Sequence, residues 1–216
     1  MKGIFTLLFF HLMISLQAQD WAQLEYYKTS NAALTAVECV FMGDSITEGW
    51  PAFVPNFFAG NKRIGRGIGG QTTPQMLLRF RQDVLALSPK RVVLLAGIND
   101  IAENTGPITL DQIMDNIKSM TTLAKANGIE MILCSVLPAN HFPWRPEIDP
   151  TKKVIQLNAM IKQYAAELNL RYVDYYTAMV DEKGGLQKQL GYDPVHPNEE
   201  GYKVMERVYL ETLNQE

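Results

Sequence analysis

Short apolar runs alternate along the chain with longer stretches in which apolar residues recur every three or four positions. The runs predict β-strands at residues 38–42, 62–64, 91–96, 130–136 and 171–173. The longer stretches predict α-helices at residues 20–34, 74–87, 110–127, 152–169 and 197–214. Such alternation is typical of a parallel sheet covered by helices on both faces. We therefore expect a three-layer α/β/α sandwich around a five-stranded parallel sheet in flavodoxin-like order.

The first 19 residues do not follow this alternation. Lys2 is followed by a mainly apolar run over residues 4–16. That run is shorter than the roughly 20 residues that span a bilayer, but its length fits the hydrophobic region of a secretory signal peptide. The sequence therefore predicts a signal peptide at residues 1–19 and a single domain at residues 20–216. We expect the mature protein to be exported, to the periplasm or out of the cell, without an integral membrane segment.

The composition and charge of the chain limit the functions that it can have. The chain has 216 residues, of which 47% are hydrophobic and 20% charged, enough apolar content for a substantial core. Its formal net charge of -3 gives no electrostatic reason to expect nucleic acid as a partner. The two cysteines lie in or beside apolar runs, and neither a CxxC nor an HExxH motif occurs. We therefore expect buried thiols, no metal and no cofactor, and no pattern indicates an oligomeric state.

Four polar, glycine-containing segments follow predicted strands or precede the last helix. They are Gly-Asp-Ser at residues 43–45, Gly-Ile-Gly-Gly-Gln-Thr-Thr at 67–73, Gly-Ile-Asn-Asp at 97–100 and Asp-Pro-Val-His at 193–196. In an open parallel sheet, ligands bind beyond the carboxyl ends of the strands. We therefore expect these four segments to meet at one edge of the sheet.

The residue types in these segments make a complete set for nucleophilic catalysis. A serine hydroxyl needs a base to take its proton, and His196 can serve Ser45 in that way. Asp193, three residues before the histidine, can orient the imidazole and stabilise its charged form. The backbone N–H groups of Ser45 and Gly70 and the side-chain amide of Asn99 are candidate oxyanion donors.

Each of these residues also has a purely structural explanation when it is taken alone. Ser45 can cap the helix that follows it, and Asn99 can belong to an ordinary turn. His196 can start a helix, and the two glycines at 69–70 can be a flexible loop. The combination favours catalysis, because nucleophile, base, orienting acid and oxyanion donors all fall at the same predicted edge.

One segment also matches a competing motif. Residues 65–70 read G-x-G-x-x-G, the dinucleotide-binding fingerprint. The motif follows the second predicted strand rather than the first, and no acid occurs near residues 90–92, where the ribose-binding acid would lie. No serine has the G-x-S-x-G frame of the α/β-hydrolase elbow either. The sequence therefore does not favour a nicotinamide-dependent enzyme or an α/β-hydrolase.

Together and in this order, the four segments resemble the sequence blocks of the SGNH (GDSL-type) hydrolases. The likeness is nearest to the branch of acylhydrolases and esterases similar to platelet-activating-factor acetylhydrolase. It covers nearly all of residues 20–216, and one departure is Pro194, where many relatives have glycine. The resemblance implies a flavodoxin-like fold, no cofactor, and ester or thioester hydrolysis through an acyl-serine. It places the nucleophile, the base and its supporting acid, and the oxyanion donors at Ser45, His196, Asp193, Gly70 and Asn99.

The expected function is an exported serine esterase that acts on short-chain, notably acetyl, esters of carbohydrates or small molecules. Two alternatives stay open: a lysophospholipase or thioesterase for longer acyl chains, and a non-catalytic carbohydrate-binding protein. Polar and aromatic residues near the predicted edge are candidate substrate contacts, although they can equally pack into the core. They are Asp44, Trp50, Phe142, Trp144 and Arg145.

Overall fold

The computed structural model describes residues 20–59 and 62–214. The signal peptide predicted at residues 1–19 lies outside the described residues. Within them, five strands form one parallel sheet: β1 Cys39–Gly43, β2 Arg63–Gly67, β3 Arg91–Leu94, β4 Glu130–Cys134 and β5 Arg171–Val173. The strand order is β2-β1-β3-β4-β5. The flavodoxin-like sheet predicted from the sequence is therefore confirmed.

Helices cover both faces of this sheet. One face carries α4 and the two long helices α6 and α7, whereas α2 and the C-terminal helix α9 pack together on the other. Right-handed crossovers in this strand order require such a division. The bounds are α1 Lys28–Ala32, α2 Ser45–Phe53, α3 Pro55–Phe58, α4 Thr73–Asp83, α5 Ile98–Ile101, α6 Leu110–Ala126, α7 Thr151–Glu167, α8 Tyr175–Met179 and α9 Glu199–Asn214. Two 3₁₀ turns lie at Leu85–Leu87 and Lys188–Leu190.

The helix predicted at residues 20–34 is wrong over most of its length. Only Lys28–Ala32 is helical, and the residues before it form turns. The backbone carbonyls of these turns accept hydrogen bonds from side chains of α4 and of the loop before it. In a helix, the same carbonyls would accept from backbone N–H groups of the helix itself. Gln71 Nε2 donates to the carbonyl of Ala22 at 2.8 Å, and Gln75 Nε2 donates to that of Trp21 at 2.7 Å. These tertiary contacts thus override the helix that the local sequence pattern predicts.

The core lies between the sheet and its two helical layers. All five residues of β1 are buried, as expected for a central strand that is covered on both faces. Cys39 and Cys134 are buried free thiols, as predicted. In the part of the chain that the structure describes, no helix is both long and apolar enough to cross a membrane.

Candidate active site

Ser45 lies at the turn from β1 into α2, where it is the first residue of the helix. The preceding residue, Asp44, caps the helix: its Oδ1 accepts from the backbone N–H of Ile46 at 3.0 Å. A first-turn N–H has no acceptor within its own helix, so the N–H of Ser45 faces outward. Gly67, at the end of β2, lets the first turn of α2 pack closely against that strand. A Cβ atom on residue 67 would lie only 2.1 Å from the backbone nitrogen of Glu48.

Three side chains from two distant segments form one hydrogen-bonded chain. Ser45 Oγ lies 2.9 Å from His196 Nε2, and His196 Nδ1 lies 2.8 Å from Asp193 Oδ2. The other carboxylate oxygen of Asp193 accepts from the backbone N–H groups of Val195 and His196, both at 2.7 Å. These bonds fix the Asp193 side chain beside the imidazole. The structure thus brings the predicted nucleophile, base and acid together.

The ionisation of Asp193 decides which imidazole nitrogen carries the hydrogen. Partial burial raises the pKa of the carboxyl, but the N–H donors of His196 and Val195 outweigh it and lower the pKa below its ordinary value. A carboxylate only accepts hydrogen bonds, so the imidazole donates to Asp193 from Nδ1. Its Nε2 is then free to accept from the hydroxyl of Ser45, the tautomer that a general base needs.

The predicted oxyanion donors lie around Ser45. Gly70 has a φ of +74°, the left-handed conformation that favours glycine. Within residues 20–59 and 62–214, neither the N–H of Gly70 nor that of Ser45 has a hydrogen-bond acceptor. The Asn99 amide donates one hydrogen to the carbonyl of Gln71 at 3.1 Å, and its second hydrogen has no acceptor among the residues that the structure describes. Three donors are therefore available at this edge of the sheet.

Two buried or half-buried carboxylates hold the loop that carries Gly70. Glu48 Oε2 accepts from the N–H of Gly69 at 2.8 Å on one side. Asp100, next to Asn99, accepts from the N–H of Thr73 at 2.9 and 3.0 Å and from its hydroxyl at 2.6 Å. Burial raises the pKa of Asp100 to about 6, and the hydrogen bonds from Thr73 oppose that rise. The loop is thus tied to the segment of Asn99.

Arg79 of α4 connects two of the four segments, those at residues 43–45 and 67–73. Its guanidinium is fully buried and donates to the carbonyls of Gly43 and Arg66 at 2.9 and 2.8 Å. It also donates to Gln71 Oε1 and pairs with Asp83 Oδ2 at 3.0 Å. The ends of β1 and β2 and the loop that follows β2 are therefore held by one side chain.

A shallow cleft of about 290 Å³ opens above the serine. Its exposed wall is Trp144, which is 41% exposed and donates from Nε1 to Asn104 Oδ1 at 3.1 Å. The volume is at the small end of ligand pockets, which span about 300–1,000 Å³. The lining residues are Ser45, Gly70, Asn99, Asn104, Trp144 and His196.

Three of the candidate substrate contacts are wrong because they are buried. Asp44, Trp50 and Phe142 are at most 1% exposed, so none of them reaches the cleft. Burial raises the pKa of Asp44 to about 7, although the Ile46 N–H and His196 both act to lower it. Asp44 serves instead as the N-terminal cap of α2. Trp50 packs in the core among aromatic rings, with Phe57 stacked on it at 5.3 Å.

The other two candidates behave differently from each other. Trp144 lines the cleft, as described above. Arg145 is half-buried beside it, but its guanidinium donates to the backbone carbonyl of Glu103 at 3.5 Å and lies 3.7 Å from the carboxylate of Glu147. It does not line the cleft. Of the five candidates, one therefore borders the serine.

The structure adds two residues to the site that the motifs do not mark. Asn104 lines the cleft and donates to Asn99 Oδ1 at 2.9 Å. The ring of Tyr192 lies parallel to the imidazole of His196, at 5.5 Å and 8°. Tyr192 directly precedes the Asp-Pro-Val-His segment, and this position in the sequence was a signal that could have placed it at the site. In the described ranges, no three His, Cys, Asp or Glu side chains are grouped as metal ligands.

With this geometry in place, comparison with known proteins identifies the family. Residues 41–204 match the family model of the GDSL-like lipases and acylhydrolases, which is well over half of the chain. The chain belongs to the GDSL-like lipase/acylhydrolase family. It is a carboxylic ester hydrolase of that family, and the resemblance stated from the four segments is confirmed.

Solved structures agree with the fold of this GDSL acylhydrolase. A protein from Bacteroides fragilis is 48% identical, with a TM-score of 0.88 over 91% of this chain and 98% of that one. A GDSL-like lipase from Bacteroides thetaiotaomicron is also 48% identical, with a TM-score of 0.86 over 90% and 98%. Among characterised sequences, an acetylxylan esterase from Geobacillus stearothermophilus is 25% identical and covers 81% of this chain and 92% of its own.

Proposed function

We propose that this GDSL acylhydrolase is an exported serine esterase that removes acetyl groups from carbohydrate. The observation that carries the proposal is the hydrogen-bonded chain from Ser45 Oγ through His196 to Asp193, with bonds of 2.9 and 2.8 Å. Such a chain activates a hydroxyl for attack on an acyl carbon. The apolar run at residues 4–16 supports export.

In the first half of the proposed reaction, Ser45 Oγ attacks the ester carbonyl while His196 Nε2 takes its proton. The carbonyl oxygen becomes an oxyanion, which accepts from the N–H groups of Ser45 and Gly70 and from the free amide hydrogen of Asn99. The charged imidazole is stabilised by the carboxylate of Asp193. When the C–O bond of the ester breaks, His196 returns the proton to the leaving alcohol, and the acyl group stays on Ser45.

In the second half, water takes the place of the alcohol. His196 accepts a proton from the water as the water attacks the acyl-serine, and the same donors stabilise the second oxyanion. His196 then protonates Ser45 Oγ as the acyl–oxygen bond breaks. Acetic acid is released, and Ser45 and His196 are back in their starting forms. Every proton in the cycle passes through one imidazole nitrogen, so no cofactor is needed in this mechanism.

Two observations support a short acyl group on a sugar. The cleft at Ser45 holds about 290 Å³, room for an acetyl group and the first atoms of the alcohol. Trp144, exposed at its wall, offers an apolar face of the kind that a sugar ring covers. The relative from Geobacillus stearothermophilus is named an acetylxylan esterase, which makes acetylated xylan the first carbohydrate to test.

The test is a series of substrates assayed with the wild type and with Ser45→Ala as the blank. We expect kcat/KM for 4-nitrophenyl acetate to exceed that for the butyrate and the octanoate, because the cleft is small. We also expect Ser45-dependent release of acetate from acetylated xylotriose. A kcat/KM that is highest for octanoate would instead favour a lysophospholipase or thioesterase. No Ser45-dependent rate on any substrate would favour a non-catalytic binding protein.

A further inference from the structure

A second cleft, of about 380 Å³, begins one side chain away from the His196 imidazole. Asp193, whose Oδ2 lies 2.8 Å from His196 Nδ1, forms part of both the hydrogen-bonded chain and this cleft. The cleft at Ser45, which His196 lines, and the second cleft, which Asp193 lines, are therefore neighbours joined by this hydrogen-bonded pair. The remaining walls are formed chiefly by Leu186, Tyr192, Pro194, Asn140 and Lys188.

The second cleft has the make-up of a small-molecule site. Its apolar surface comes from the buried Leu186, from Pro194 and from the Tyr192 ring. Its polar groups are the amide of Asn140 and the ammonium of Lys188. Across residues 20–59 and 62–214, neither of these groups makes a hydrogen bond or an ion pair. Both are therefore free to donate to a ligand.

Tyr192 is the aromatic residue that lines the second cleft. Its side chain is 62% exposed, although the ring is stacked on His196 at 5.5 Å and against Phe53 at 6.3 Å. Phe53 is itself 39% exposed. The stacked rings hold Tyr192 in place and leave its apolar surface in water, which is the situation that a ligand relieves. A sugar ring matches such a face, since it has C–H bonds on its flat sides and hydroxyls at its edge.

We propose that the second cleft binds the sugar residue next to the acetylated one, with its C–H face on Tyr192 and its hydroxyls on Asn140 and Lys188. This proposal rests on the carbohydrate esterase function proposed above. His196 must protonate the leaving alcohol, so the sugar that carried the acetyl group lies beside the imidazole. The next sugar along the chain then lies beyond it, where the second cleft opens.

The experiment compares Tyr192→Ala, Tyr192→Phe and the wild type on acetylated xylotriose and on 4-nitrophenyl acetate, which has no second sugar. We expect Tyr192→Ala to lower the ratio of the two kcat/KM values on the order of tenfold, which corresponds to about 1.4 kcal/mol. Tyr192→Phe keeps the aromatic face and is expected to keep the ratio. Tyr164→Ala, at a partly exposed tyrosine of α7, is the matched control and is expected to keep the ratio as well.

A binding measurement separates this proposal from the chemistry. In the Ser45→Ala background, calorimetric titration with unacetylated xylotriose is expected to give a Kd that Tyr192→Ala weakens about tenfold. An unchanged substrate ratio and an unchanged Kd in Tyr192→Ala would overturn the proposed cleft alone. A wild type that hydrolyses 4-nitrophenyl acetate but no acetylated xylotriose would overturn the carbohydrate function itself.

Asn104 carries an independent inference about the oxyanion donors. Its amide donates to Asn99 Oδ1 at 2.9 Å and to the carbonyl of Gly70 at 3.2 Å. Its Oδ1 accepts from Trp144 Nε1 at 3.1 Å. Asn104 therefore contacts Gly70 and Asn99, two of the three residues that supply oxyanion donors. Because it binds the oxygen of the Asn99 amide, it sets which way the Asn99 nitrogen faces.

We infer that Asn104 is a positioning residue that orients the Asn99 amide and the Gly70 loop. Asn104→Asp tests this, because the carboxylate still accepts from Trp144 but cannot donate to Asn99 or Gly70. We expect kcat for 4-nitrophenyl acetate to fall roughly 10- to 100-fold, less than the 100- to 1000-fold of losing a donor outright. KM is expected to stay within about threefold, since the loss is confined to the transition state.

A double variant distinguishes orientation from an unrelated structural effect. If Asn104 acts through Asn99, adding Asn104→Asp to Asn99→Ala is expected to lower kcat by no more than about threefold further. A loss equal to the product of the two single losses would overturn the inference. Asn104→Ala removes the same donors without adding a charge. It is expected to show the same selective loss in kcat, with the urea midpoint of unfolding unchanged.

Discussion

Ser45→Ala is expected to lower kcat for 4-nitrophenyl acetate by roughly 10⁴- to 10⁶-fold, the range seen when a nucleophile that acts with a histidine is removed. The substitution deletes the attacking oxygen that lies 2.9 Å from His196 Nε2. The α2 cap is supplied by Asp44, so the fold is expected to persist. Burst and steady-state kinetics measure the rate, and the urea midpoint checks the fold.

His196→Ala provides the matching control, because nucleophile and base act as one unit. We expect the two single variants to lose similar activity, and the double variant to lose no more than either. A Ser45→Ala protein that is folded and retains a tenth of the wild-type kcat would contradict the proposed mechanism. The hydrolysis would then have to use another nucleophile.

Arg79→Met is expected to lower the free energy of unfolding by about 3–5 kcal/mol, the cost of breaking a buried ion pair by removing one partner. The substitution leaves Asp83, which is 1% exposed, without the guanidinium that lies 3.0 Å away. It also removes the donor to the carbonyl of Gly43, a contact that holds the end of β1. Urea denaturation at pH 7 measures the difference.

A neighbouring arginine on the same helix supplies the control. Arg81 is exposed, and Arg81→Met is expected to change the free energy of unfolding by less than about 0.5 kcal/mol. Adding Asp83→Asn to Arg79→Met is expected to recover part of the loss, because it removes the unpaired buried charge. Equal losses from Arg79→Met and Arg81→Met would show that the buried network does not stabilise the protein.

The sheet was predictable because its signal is periodic and repeated. Five apolar runs mark the five strands within a few residues, and the handedness of crossovers leaves few ways to order them. The gathering of the four polar segments follows from the same rule, since each lies beyond a strand or before the last helix. Their catalytic roles stay predictions until the variants above are assayed.

The details that failed depend on the direction of side chains. Asp44 and Trp50 flank the serine in sequence, yet both turn into the core, and spacing alone does not give that direction. Asn104 was missed because its role depends on a loop in which Glu103 has a φ of +56°. No periodic pattern marks such a loop. The short helices α3, α5 and α8, of four or five residues, were missed because they are too brief to show a period. The nine-residue α2, which contains Pro51, was not predicted either.

The hydrogen bond from Ser45 to His196 joins residues that are 151 positions apart. Two of the oxyanion donors, Gly70 and Asn99, lie between them in the sequence, each beyond the end of a different parallel strand. Parallel strands pair residues that are far apart in the sequence, so the chain loses the conformational entropy of closing long loops before any of these contacts forms. Hydrolysis consequently reports on the topology of the whole chain: no fragment that lacks either β1 or the segment before α9 contains both halves of the reaction centre.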